Sequence, residues 1–181
     1  MRKKICVFCG SASGKGSKYI NLSLELGDSL CDNDYDLVYG GASIGVMGAV
    51  ADKVLERGNE VIGIMPQSLI NWEVGHKGLT SLEVVDTMHA RKERMYDYSD
   101  AFVAIPGGFG TLDELCEIIT WAQLKYHLKP IYVYNFDGFF THMLEHFKKA
   151  HEEGFISKEH LDMVHVVEST EALMTSLKEN L

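Results

Sequence analysis

The sequence predicts a doubly wound α/β fold, a parallel sheet flanked by helices in three layers, and three observations carry that prediction. Seven short apolar runs recur, at residues 5–9, 36–39, 60–65, 82–85, 101–105, 131–134 and 163–167. Several are continuous rather than alternating, as strands buried on both faces of a parallel sheet require. The segments between them carry apolar residues at helical spacing, so strand and helix signals alternate through the whole chain.

Taken in order, the first run follows Met1-Arg2-Lys3-Lys4 and ends at Cys9-Gly10. It is too short for a signal-peptide core and reads as a strand. Ile20, Leu24, Gly27 and Leu30 make the first helical stripe; Val46, Ala49, Val50 and Val54 make the second. A helix opens in the basic turn after the fourth run. Leu112, Leu115, Cys116, Ile119 and Ala122 mark the next, and Phe140, Met143, Leu144 and Phe147 another. Residues 169–181 read as a closing helix without chemistry. Pro66, Pro106 and Pro130 each sit at one end of an apolar run.

The 181 residues fit one domain, 1–181, and 46% hydrophobic residues supply a core and exclude disorder. No apolar run approaches the length of a membrane span. With 17 basic and 26 acidic side chains the net charge is −9, which disfavours nucleic acid as a partner. A phosphorylated small molecule remains compatible, because it meets local groups and not the total charge. Four cysteines, Cys6, Cys9, Cys31 and Cys116, form no disulfide framework, and a reducing cytoplasm is expected. Cys6 and Cys9 make a C-x-x-C, but on a strand residues three apart point to opposite faces, which argues against a dithiol.

In such sheets ligands bind beyond the carboxyl ends of the strands. Three glycine loops fall on that edge. The first, residues 9–17, lacks the spacing and the hydroxyl of a P-loop. The second, residues 40–48, has Ser43 where a dinucleotide fingerprint needs glycine, and Pro66-Gln67 where the ribose-binding acid belongs. A close helix–strand approach explains it as well as a ligand contact. The third is Pro106-Gly107-Gly108-Phe109-Gly110-Thr111-Leu112-Asp113-Glu114. Its glycines free the backbone amides to converge, and the helix it opens adds a positive dipole end, so a phosphate is favoured there. Thr111 and Glu114 also fit a capping box, Thr111 as N-cap and Glu114 at N3. A phosphate on the same amides would instead turn Glu114 into the cleft.

The basic turn is Thr87-Met88-His89-Ala90-Arg91-Lys92-Glu93-Arg94, at the start of a helix on the same edge. Cations there oppose the helix dipole, so an anionic ligand is implied: Arg91 suits planar bidentate contact and Lys92 a point charge. His142-Met143-Leu144-Glu145-His146 matches a zinc-peptidase pattern, but its histidines fall opposite the apolar stripe and no third ligand is evident, so no metal is expected.

Together, Met88-His89-Ala90-Arg91-Lys92 and residues 106–114 resemble the M-x-x-R-K and P-G-G-x-G-T-x-x-E motifs of the Lonely Guy (LOG) family of cytokinin-activating phosphoribohydrolases, once named lysine decarboxylases. Cys6-Val7-Phe8-Cys9-Gly10-Ser11, Tyr39-Gly40-Gly41, Gly45-Val46-Met47-Gly48 and Ile119-Thr120-Trp121-Ala122-Gln123-Leu124 agree with it. The resemblance implies a Rossmann-like homodimer that hydrolyses the N-glycosidic bond of N6-substituted AMP without a cofactor. It implies Arg91 and Glu114 as the catalytic pair. It implies substrate contacts from Glu73, Lys92, Gly107, Gly108, Phe109, Gly110, Thr111, Leu112, Asp113 and Thr120. Ala42, Asp113 and Lys125 depart from common family residues and leave the preferred base open. An AMP nucleosidase, a nucleotide-binding protein without turnover and a flavodoxin-like redox protein are the competing readings.

Overall fold

In the computed structural model, residues 2–70 and 75–181 are described. Seven parallel strands, β1 (Lys3–Phe8), β2 (Tyr35–Tyr39), β3 (Val61–Pro66), β4 (Ser81–Val85), β5 (Ala101–Ala104), β6 (Ile131–Tyr134) and β7 (Val164–Val167), form one sheet in the order β4-β3-β2-β1-β5-β6-β7. All seven predicted strands are present, shifted at most two residues at an end. The helices are α1 (Lys18–Asp32), α2 (Gly45–Glu56), α3 (Met88–Tyr98), α4 (Phe109–Gln123), α5 (Thr141–Glu152), α6 (Lys158–Leu161) and α7 (Thr170–Asn180). The short α6 carries too few residues to show a period and has no counterpart among the sequence expectations.

The period of two along each strand builds the three layers. Ile5, Val7 and Cys9, Leu37 and Tyr39, Val103 and Tyr132 face one core, which Leu22, Leu26 and Leu30 of α1, Val50 and Val54 of α2 and Leu173 of α7 close. Cys6 and Phe8, Val38, Phe102 and Val133 face the other, closed by Met95 of α3 and Leu115 and Ile118 of α4. Fully burying each such side chain contributes about 1.5–3 kcal/mol. Cys6 and Cys9 lie on opposite faces, as the strand geometry requires, and both are free.

On α5 the expected stripe is only partly covered. Phe140 is buried and Met143 and Leu144 pack on the second core, yet no residue within α5 itself is fully buried. His142 points into solvent beside Glu145, on the outer face. Among the described residues no group of three His, Cys, Asp or Glu side chains is arranged to hold a metal. Nor, among the described residues, is any helix long and apolar enough to cross a membrane.

The strand order fixes where a ligand goes. From β1 the chain runs towards β2, β3 and β4; from β5, its neighbour, it runs towards β6 and β7. The loops leaving the carboxyl ends of these adjacent strands therefore diverge and open a crevice between them.

Candidate active site

Three glycine loops meet at that crevice. Gly10 and Gly107 lie so close that a Cβ on Gly107 would stand 2.8 Å from the Gly10 nitrogen. The Met47 N–H donates to the Gly10 carbonyl at 3.1 Å, tying the first loop to the start of α2. At Gly45, φ is +63° and a side chain would overlap the Ser11 carbonyl. Close approach accounts for this part of the second loop.

The third loop behaves differently from its capping-box pattern. Helix α4 starts at Phe109 with Gly108 as N-cap in extended conformation, and no side chain caps it. Thr111 is thus in the third helical position, not at the N-cap. This overturns the capping-box reading: the freedom of Gly108 and Gly110 lets the helix begin three residues early. The hydroxyls of Thr87, Ser157 and Ser169 cap α3, α6 and α7, whereas α1, α2 and α5, like α4, have no side-chain cap. The first amides of α4 are left for an anion at the positive end of its dipole.

Behind that helix start lies a cavity of about 240 Å³, walled by Gly108, Thr111, Met47, Met88, Arg91 and Glu114. Arg91 comes from α3 and Glu114 from α4, and both are at least 95% buried. Their Nη2 and Oε1 atoms are 3.4 Å apart, a long ion pair. Among the described residues neither Arg91 Nε nor the Thr111 hydroxyl has a hydrogen-bond partner. Each such buried group costs about 1–3 kcal/mol, so two of them in one cavity mark a place where a ligand supplies the partners. Cys9 also lines the cavity, and burial, then the charge of Glu114, pushes its thiol far up. A second cavity of about 320 Å³ adjoins across Gly10, Ser11 and Gly108, edged by Tyr19 and Phe139.

The other predicted site residues divide. Gly108, Phe109 and Gly110 line the cavity of Arg91 and Glu114, and Phe109 is 92% exposed. Gly107 borders the second cavity, where its missing side chain makes room for the Thr111 hydroxyl. Leu112 packs towards the core. Lys92 does not line the cavity. Its ammonium lies 3.1 Å from Asp113 and 3.1 Å from Glu117. Burial alone would lower its pKa, but the two carboxylates outweigh it and the net direction is up. Asp113 is engaged in the same pair. Thr120 is exposed and donates to the Cys116 carbonyl at 2.7 Å, within its own helix and away from the crevice. Glu73 lies outside the described residues. Gly10, Ser11, Met47 and Leu69 also line the cavity and were not singled out as site residues. The glycine-rich ends of β1 and β2 were the available signal.

Residues 47–177 match the family model described as possible lysine decarboxylase. Cytokinin riboside 5'-monophosphate phosphoribohydrolase LOG3 of Arabidopsis thaliana is 45% identical over 177 residues, covering 98% of this chain and 82% of the relative. The enzyme of the same description, LOG, from Oryza sativa subsp. japonica is 43% identical over 98% of this chain and 73% of its own. The chain belongs to the LOG family. Solved structures at lower identity share the LOG-family fold. The X-ray structure of TM1055 superposes with a TM-score of 0.75 at 23% identity, covering 98% of this chain and 99% of its own. The molybdenum cofactor carrier protein of Chlamydomonas reinhardtii gives 0.73 at 21%, covering 99% and 98%. In this LOG-family chain the two family motifs come from α3 and α4, and they meet as the buried Arg91–Glu114 pair.

Proposed function

We propose that the chain hydrolyses the N-glycosidic bond of N6-modified AMP, releasing the free base and ribose 5-phosphate. The observation that carries this is the Arg91–Glu114 pair, buried next to an uncapped helix N-terminus. The substrate is that named for the relatives LOG3 and LOG.

In this reading the 5'-phosphate sits on the amides of Gly107–Thr111 at the start of α4, where the Thr111 hydroxyl gains its missing partner. That anchors the ribose with C1' towards Glu114. As the C1'–N9 bond breaks, its electron pair leaves with the base and the sugar becomes oxocarbenium-like. Glu114 stabilises that cation and orients the attacking water, whose oxygen bonds to C1' while a proton passes to the leaving base. Arg91 anchors the nucleotide and holds the Glu114 carboxylate in place. The lysine beside the pair does not suit decarboxylase chemistry. A Schiff-base lysine needs a lowered pKa, and two carboxylates hold Lys92 the other way.

The chain works as a single catalytic domain, in the cytoplasm, where its free thiols are kept reduced. It works as a homodimer. The exposed Leu124, Tyr126 and Leu128 after α4 supply apolar surface for a second copy. The deciding experiment incubates the protein with N6-isopentenyl-AMP and with AMP and measures ribose 5-phosphate. Preferential release from the modified nucleotide is expected. Equal or faster release from AMP would make it a general AMP nucleosidase, and no release from either would overturn the reading.

A further inference from the structure

Gly40 follows directly on β2 and is buried. Its φ is not positive, unlike that of Gly41 at +84°, so an L side chain suits its backbone. What the position lacks is space. A Cβ there would overlap Arg91 Nη2 and stand 3.1 Å from Cζ, whereas the next atom, Met47 Cε, is at an ordinary 3.4 Å. The obstacle is the guanidinium itself, not the scaffold.

Directional bonds do little to place that guanidinium. Its contact with Glu114 is long, Nη1 lies 3.9 Å from the weakly accepting Met88 sulfur, and Nε has no partner among the described residues. A side chain that is 97% buried and so loosely bonded is positioned by the shape of its slot. One wall of the slot is the bare backbone of Gly40.

We propose that Gly40 is a positioning residue for Arg91: the missing side chain at the end of β2 creates the slot that sets the guanidinium against Glu114. The proposal rests on the reading of Arg91 as a nucleotide-handling residue. A methyl group at residue 40 displaces the guanidinium by an ångström or more. Misplacement of that size costs on the order of a hundredfold in rate.

The test compares wild type, Gly40→Ala, Arg91→Lys and the double variant, using kcat and KM for N6-isopentenyl-AMP. Gly40→Ala is expected to lower kcat/KM by about a hundredfold in the wild-type background. In the Arg91→Lys background the shorter side chain leaves the slot, and the same substitution is expected to cost far less, the non-additivity of a coupled pair. Near-wild-type activity of Gly40→Ala, or an equal loss in both backgrounds, would overturn the proposal. The ligand-free proteins give a second readout, the Nε–H resonance of Arg91 by NMR. It is expected to shift or broaden in Gly40→Ala, and an unchanged signal would overturn the proposal. This readout decides on Gly40 even if the wild type releases no ribose 5-phosphate, a result that counts against the functional reading alone. If Gly40→Ala does not fold, Gly40→Ala/Arg91→Ala is expected to fold, because the clash is gone. Failure of both would overturn the proposal.

Discussion

Two ion pairs bridge α3 and α4 one residue apart, and they have opposite characters. Arg91 and Glu114 are buried, 3.4 Å apart, with one guanidinium nitrogen, Nε, unpaired among the described residues. Lys92, next in sequence to Arg91, meets Asp113, the residue before Glu114, and also Glu117, each at 3.1 Å, on the partly exposed rim. The rim pair is satisfied, its Asp113 faces water, and it ties the two helices together. The inner pair is desolvated, and Arg91 Nε has no partner among the described residues. Burying charges without full compensation costs stability, and such an arrangement is retained where a ligand completes it. Adjacent residues of the same charge thus serve different ends because one helical step turns them by about 100°.

The sharpest way to break this contrast is Glu114→Gln. The proposed role predicts a loss of kcat of two to four orders of magnitude, with ribose 5-phosphate release as the measure and AMP binding retained. A fully active variant would reduce Glu114 to a structural partner of Arg91. Thr111→Val is next. Removing a buried hydroxyl without a partner is expected to raise stability by about 1 kcal/mol in urea unfolding while weakening AMP binding roughly tenfold, one lost hydrogen bond. Lys92→Met tests the rim. Stability is expected to fall by about 1 kcal/mol with KM little changed. A large rise in KM would instead put Lys92 on the phosphate. The smallest effect belongs to Glu83 of β4, bound bidentately by Arg94 of α3. That hydrogen bonding holds the Glu83 carboxyl below its usual range. A depressed carboxylate contributes stability above its unfolded pKa, near 4.3, and loses it as pH falls through the folded value. Glu83→Gln is therefore expected to melt slightly lower than wild type at pH 7, with the difference vanishing well below pH 4.

The same contrast explains what was legible in the sequence. The strands were readable because burial on both faces leaves unbroken apolar runs such as Ala101–Ala104. The glycine loop and Arg91 stand out because each departs from what a helix start ordinarily wants, whereas Glu114 fits a cap and stands out only through the glycine loop before it. The pairing of Lys92 was not readable. Its partners lie 21 and 25 residues away in sequence, and no local pattern shows that α4 brings them to it. The start of α4 was misplaced for a related reason: Thr111 and Glu114 form a good local capping pattern, and only the packing of Gly107 against the Thr111 hydroxyl and Gly10 shows that the helix begins earlier. Gly40 stands in the sequence only as part of the second glycine loop, and its closeness to the Arg91 guanidinium shows only in three dimensions.

Cys9 sits in the wall of the cavity that holds Arg91 and Glu114, yet burial and the neighbouring Glu114 push its thiol far up and keep the sulfur protonated at neutral pH. Cys6, Cys31 and Cys116 are pushed in the same direction. Peroxides and alkylating agents attack thiolates, so a crevice lined this way is chemically quiet towards them. Ribose 5-phosphate release is therefore expected to be unaffected by prior treatment with a thiol-alkylating reagent.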